Sequence, residues 1–235
     1  MLHDSQSLFP KNKILGHLPP DDLKRMAPGL ELVAFDATET LFRAGETLHY
    51  VFFPEDSLIS LIATMADGKS VELRLAGAEG VLGIGAILGA KVHSYTAIVQ
   101  IRGTCRRLEA EKFNAEFRRG GVLESRTLAY LHYTLVEIAQ NAACNRVHRV
   151  KQRLARRLLM IQDRVEKNEF PMTHESLSDS LGTPRSEISL AAASLRKAGI
   201  IGYARGKVTI LRRERLVSSA CECYEIIHRE LQTLG

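Results

Sequence analysis

Apolar residues in the first half of the chain alternate with polar ones in short runs, whereas in the second half they recur every three or four positions. Seven strands are predicted, over residues 30–35, 39–42, 49–53, 58–64, 70–76, 96–101 and 104–108, with turn signals between them such as Ala66-Asp67-Gly68 and Arg102-Gly103. Many short strands at this spacing predict a sandwich or barrel-like roll. A short helix over 20–26 precedes them. Residues 111–145 turn helical, with a break near Gly120-Gly121. Beyond the break Leu128, Leu131, Leu135, Ile138 and Ala142 alternate spacings of three and four, the a/d seam of a coiled coil, flanked by Leu123, Thr127 and Val136. A helix that packs on its own roll and also pairs with a second copy explains both sets, so a homodimer is expected. A further helix, over 147–166, carries Leu154, Leu158, Leu159 and Ile161 inward.

The stretch 173–210, THESLSDSLGTPRSEISLAAASLRKAGIIGYARGKVTI, has the punctuation of a helix-turn-helix followed by a hairpin. Thr173 is a candidate N-cap for a short helix carrying Leu177 and Leu181, which Gly182 stops. Thr183 as cap and Pro184 as first helical residue start the next one. On that second helix Ile188, Ala191, Ala192 and Leu195 form the predicted buried stripe, while Ser186, Ser189, Leu190, Ala193 and Lys197 face outward. Second helices of such pairs enter the major groove, about 12 Å wide, N-terminal residues first. Thr183, Arg185, Ser186, Ser189 and Leu190 are therefore candidate DNA contacts. Arg185 suits guanine O6 and N7, and Leu190 suits a thymine methyl or is simply an isolated surface leucine. After Gly199 the chain reads as a two-stranded wing whose basic tip, Arg205 and Lys207, suits phosphate.

Charge sharpens this picture. The chain of 235 residues carries a formal +5, but residues 146–235 hold 17 Lys+Arg against 10 Asp+Glu, a net of +7, leaving 15 against 17 for the rest. A polyanion is the natural partner of a basic half. The run Arg146, Arg149, Lys151, Arg153, Arg156, Arg157 reads either as part of that surface or as a solvated basic face. No leader is recognisable, and the longest apolar run, 81–90, is too short and glycine-rich to span a bilayer, so a cytoplasmic protein without membrane contact is expected. Cys105, Cys144, Cys221 and Cys223 show no CxxC pair. The Cys221-x-Cys223 pair lacks two further ligands in sequence and reads as incidental, so no metal site is predicted. No catalytic set stands out either, and the glycines of VLGIGAILG do not have dinucleotide-loop spacing.

This order of parts resembles the Crp/Fnr family of bacterial transcription regulators. The resemblance implies an α+β chain with a cyclic-nucleotide-binding-like sensor domain, an N-terminal double-stranded β-helix of jelly-roll type, over residues 1–120. A dimerisation helix over 121–146 and a winged helix-turn-helix DNA-binding domain over 147–235 would follow. GTPRSEIS stands where members commonly carry G-x-S-R-E-T-V-S-R: Arg185 falls on the first recognition arginine, Ser186 replaces a glutamate and Leu190 an arginine. Base preference is expected to differ accordingly. Double-stranded DNA is the implied partner, and RNA polymerase is a further one that the resemblance admits. Members that bind cyclic nucleotides carry a glutamate in G-E-[LI] and an arginine before a Ser/Thr-Ala pair. Here Gly83-Ile84-Gly85 and Tyr95 before Thr96-Ala97 lack both charges, and an unpaired buried phosphate costs several kcal/mol, so cyclic AMP in the usual pose is not expected. Gly83, Ile84, Gly85, Tyr95 and Thr96 are candidates to line a pocket for an uncharged or different effector. The cofactor stays unidentified. No iron–sulfur cluster is expected, because no cysteine precedes Cys105, and haem is not expected although His49 and His93 lie in this half. The competing reading is a small-molecule-binding module or enzyme whose basic half only packs.

Overall fold

The computed structural model describes residues 10–68 and 70–234; the first nine residues of the expected sensor domain lie outside them. Two short helices, α1 (Lys13–Gly16) and α2 (Pro20–Met26), lead into seven strands: β1 (Glu31–Phe35), β2 (Thr40–Phe42), β3 (Tyr50–Pro54), β4 (Leu58–Thr64), β5 (Ser70–Ala76), β6 (Thr96–Ile101) and β7 (Gly103–Glu109). They form two antiparallel sheets, ordered β1-β7-β3 and β2-β6-β4-β5. Every predicted strand is present, its bounds within about two residues. Between the sheets Phe42, Phe52, Ile59, Leu61, Leu82 and Val99 make a closed apolar filling.

Four helices, α3 (Ala110–Phe117), α4 (Val122–Val147), α5 (Val150–Val165) and later α6 (His174–Leu181), carry the chain out of the roll. Gly120 and Gly121, at φ +81° and +80°, make the predicted break between α3 and α4. The long helix α4 buries Leu123, Thr127, Tyr130, Thr134, Glu137 and Cys144 against its own chain, again at alternating spacings of four and three. Its opposite side leaves Leu128, Leu135 and Ile138 exposed by 46%, 61% and 39%. Ala142 is exposed as well, while Leu131 is half-buried against the core. Tyr130 packs so closely on the roll that a Cβ on Gly80 would stand 1.9 Å from its ring. The expected helix from residue 147 starts three residues later, because His148 and Arg149 adopt extended backbone (ψ 150° and 151°) and separate α4 from α5.

The last part comprises β8 (Glu169–Pro171), α6, α7 (Arg185–Lys197), β9 (Ile201–Ala204), β10 (Lys207–Ile210), α8 (Arg213–Ser219) and α9 (Cys223–Gln232). The hairpin of β9 and β10 gains β8 as a third strand, in the order β8-β10-β9. Leu154, Leu158, Leu159 and Ile161 of α5 are fully buried beneath α6, α7 and α8.

A buried ionic network joins roll, long helix and terminal domain. Glu137 on α4 accepts from Arg74 Nε on β5 (2.9 Å) and from Arg164 Nη2 on α5 (3.1 Å). Arg164 also donates to Glu79 Oε1 (2.8 Å) and Tyr133 Oη (2.5 Å), and Arg74 to Tyr130 Oη (2.9 Å). Arg157 forks onto the Glu72 carboxylate, with Nη2 at 2.6 Å from Oε2. Burial works against the Arg74 charge, yet Tyr130 and Glu137 more than offset it and hold its pKa above the ordinary arginine value. Burial would likewise lift Glu79, but Arg164 and Arg74 keep that carboxyl below the usual carboxylate range. At Glu72 burial wins over Arg157 and raises the pKa.

The basic run is therefore corrected. Arg153, Arg156 and Arg157 are buried and serve the interior, while Arg146, Arg149 and Lys151 remain exposed. Charge counts over a segment cannot separate the two, because an arginine pairs with a distant carboxylate as readily as with a phosphate.

Candidate nucleic-acid interface

Helix α6 starts as predicted, with Thr173 Oγ1 accepting from Ser176 N–H at 3.0 Å, and ends at Gly182 in the left-handed region (φ +54°). Helix α7 begins at Arg185, with Pro184 immediately before it. Ile188, Ala191, Ala192 and Leu195 are buried, which turns the predicted outer face to solvent. Arg185, Ser186, Glu187, Leu190, Ala193, Ser194 and Lys197 are all exposed, Leu190 by 72%.

Two of the candidate contacts are placed differently. Thr183 neither caps α7 nor faces outward: it is buried, donating to Leu181 C=O at 3.0 Å and accepting from Arg153 Nη1 at 3.2 Å. Arg153 also donates to Leu181 C=O, so a buried guanidinium holds the turn that sequence assigned to a cap. Ser189 is half-buried, its hydroxyl donating to the Arg185 carbonyl at 2.9 Å and lying 3.0 Å from His174 Nδ1. His174 stacks obliquely on Tyr203, centroids 4.4 Å apart, and Tyr203 Oη donates to Met172 C=O at 2.8 Å. Burial, with Arg185 and Arg196 nearby, lowers the His174 pKa, and burial raises that of Tyr203.

At the wing, Arg205 (φ +50°) and Gly206 (φ +73°) make a two-residue turn of the type that suits tight hairpins. Arg205 is exposed at its tip. Lys207 is exposed too, but its Nζ lies 3.1 Å from Glu169 Oε1 on the third strand, which neutralises part of the expected basic tip. Sequence reasoning missed Glu169 because β8 is only three residues long and too short to show a period. Lys151, from the basic run, borders an open groove with Leu190, Ala193, Ser194 and Lys197.

The sensor half holds its candidate pocket residues tightly. Gly83 (φ +80°) precedes a 3-10 turn, Ile84–Leu88, that buries Ile84. A Cβ on Gly83 would meet the Tyr50 carbonyl at 2.9 Å. Tyr95 packs near Phe42, centroids 6.0 Å apart, and Thr96 Oγ1 accepts from Ala44 N–H at 3.2 Å. Gly85 approaches Ala90 within 3.1 Å of its would-be Cβ. His93 stacks face to face on Phe42 at 3.6 Å. These positions are thus engaged by contacts within their own roll. A cleft of about 530 Å³ lies instead between β4, β5 and β6 and the winged domain, bordered by Ser60, Glu72, Gln100, Met172, Ser176 and Asp179.

The four ligand atoms of a histidine and three cysteines also come within 4.8 Å of one another. Folding brings Cys144 and His148 against Cys221 and Cys223, supplying the two ligands the CxC pair lacked in sequence.

Two family models match this chain: the cyclic nucleotide-binding domain over residues 32–119 and the Crp-like helix-turn-helix domain over residues 152–218. The chain belongs to the Crp/Fnr family. As a member it carries a cyclic nucleotide-binding-type domain and a DNA-binding helix-turn-helix, and it is a transcription regulator of that type. It is 25% identical over 197 residues to the transcriptional regulator LdrP of Thermus thermophilus, covering 80% of this chain and 97% of LdrP. Its fold resembles FixK2 from Bradyrhizobium japonicum (TM-score 0.71, 16% identity, 82% of this chain and 98% of that one). A CRP-family transcriptional regulator from Thermus thermophilus, TTHB099, is similar too (TM-score 0.67, 23% identity, 80% and 96%). Among the described residues no helix is long and apolar enough to cross a membrane.

Proposed function

We propose that the protein acts as a homodimer that reads a pseudo-palindromic duplex site, with α7 of each copy in successive major grooves. The observation that carries this reading is a pair of unpartnered surfaces on one chain: the outer face of α7, led by Arg185, and the apolar stripe Leu128, Leu135, Ile138 and Ala142 of α4. Exposed leucine and isoleucine in a row at heptad spacing favour pairing with the same row of a second copy. Twofold pairing places two recognition helices about 34 Å apart, one helical turn of DNA. Arg185 would read a guanine, Ser186 and Leu190 neighbouring bases, and Arg205 a phosphate. Ser189 acts by fixing the first turn of α7 and its contact with His174, and Lys207 is shared between Glu169 and the backbone of the duplex.

The signal that sets DNA affinity is then not cyclic AMP in the usual pose, because neither Ile84 nor Tyr95 can neutralise a cyclic phosphate. Fluorescence anisotropy with a site recovered by genome-wide binding tests the reading. Affinity should fall steeply with salt, and Arg185→Ala should cost about 1–3 kcal/mol and relax preference at one base position. Unchanged binding of the cognate site by Arg185→Ala would overturn the docking.

A further inference from the structure

We propose that Cys144, His148, Cys221 and Cys223 form a mononuclear, tetrahedral zinc site that fastens the joint between the long helix and the DNA-binding domain. Their four ligand atoms all lie within 4.8 Å of one another. Bonds of about 2.3 Å to sulfur and about 2.0–2.1 Å to nitrogen put the corners of a tetrahedron about 3.4–3.8 Å apart. Cys144 Sγ and Cys221 Sγ are 3.5 Å apart, as are Cys223 Sγ and His148 Nδ1. All three thiols are free and buried, and together they make a small interior cluster of their own. A multi-iron cluster spreads its ligands further than one ion does, so the spacing selects a single cation, and three sulfurs with one imidazole select zinc.

The surroundings are those of a ligand set. His148 turns Nδ1 toward the sulfurs, and its Nε2 lies 3.2 Å from Glu222 Oε1, the carboxylate–histidine arrangement that fixes a ligating ring. Gln140 Nε2 donates to Cys223 Sγ at 3.2 Å, as suits a thiolate. Binding would release three thiol protons to solvent and consume no oxidant. The resulting net charge of −1 would sit within electrostatic reach of Arg156 and Arg153.

The placement gives the site its role. Cys144 lies in the last turn of α4, and His148 is the extended residue where α4 ends and α5 begins. Cys221 and Cys223 stand at the start of α9, which packs on α4 and α5. One ion would therefore bind both sides of the hinge that orients α7. The site stands on this cluster alone and is independent of the DNA-reading face.

The test uses the untagged full chain purified without chelators. Elemental analysis should find one zinc per chain. Cobalt exchanged into the same site should show intense tetrahedral d–d bands and a thiolate-to-cobalt charge-transfer band. Cys221→Ser and Cys223→Ser should lose the metal, Cys105→Ser, remote in the roll, should keep it, and Cys223→His should retain binding with a weaker charge-transfer band. A native chain that binds no zinc, a cobalt spectrum without thiolate ligation, or a Cys144–Cys221 disulfide in the metal-free protein as isolated would each overturn the proposal. Should the serine variants fail to fold, the cobalt spectrum of the native chain decides alone.

Discussion

Replacing Glu137 with alanine probes the joint between sensor and reader most directly. Its carboxylate is fully buried, and the two guanidinium groups it serves are 3% and 1% exposed. Each pair contributes roughly 4 kcal/mol of attraction at an effective dielectric of about 20 and charge centres about 4 Å apart. Against that gross gain stands the several kcal/mol needed to keep an ion from water. Among the described residues, removing the carboxylate leaves Arg74 with Tyr130 as its one remaining hydrogen-bond partner, whereas Arg164 keeps Glu79. The expected net loss is about 3–5 kcal/mol, toward the lower end because of Glu79. Glu137→Gln, which retains an acceptor without the charge, should lose about 1.5–3 kcal/mol. The chain has no tryptophan, so urea unfolding followed by far-UV circular dichroism at fixed protein concentration is the assay. A loss below about 1 kcal/mol for Glu137→Ala, within the range of ordinary surface changes, would refute the view that this network holds the domains together.

If the proposed dimer pairs through α4, Leu135→Glu should leave only monomer in sedimentation velocity with the circular dichroism spectrum unchanged, and a persistent dimer would remove α4 from the interface. Gly80→Ala should destabilise by about 1–3 kcal/mol in thermal or urea unfolding, because Tyr130 must yield to the new methyl group; an unchanged midpoint would refute that close approach. Acidification should weaken the fold in a defined window. His93 and His174 both have pKa values lowered from 6.5, chiefly by burial. The folded state then binds fewer protons than the unfolded one, so stability present above pH 6.5 is lost as pH falls through that value. A thermal midpoint flat from about pH 7 to 5, or a slope unaltered by His93→Gln, would contradict it.

Local pattern alone determined where most elements as far as residue 210 lie. Strand periods, the Gly120-Gly121 break, the Thr173 cap and the stripe Ile188, Ala191, Ala192, Leu195 all arise from neighbours within one or two turns, and the structure reproduces them. The outward stripe of α4 was legible for the same reason, since Leu128, Leu135, Ile138 and Ala142 follow from period, whereas the contact that half-buries Leu131 does not. Tertiary structure decided which polar groups face whom. Sequence could not tell that Arg153, Arg156 and Arg157 would turn inward, that Thr183 would be claimed by Arg153, or that Glu169 would reach Lys207. Nor could it bring Cys144 and His148 to a CxC pair 77 residues from Cys144. Burial follows from residue period, whereas the partner of a charge or a thiol is set by distances in space that chain separation does not encode.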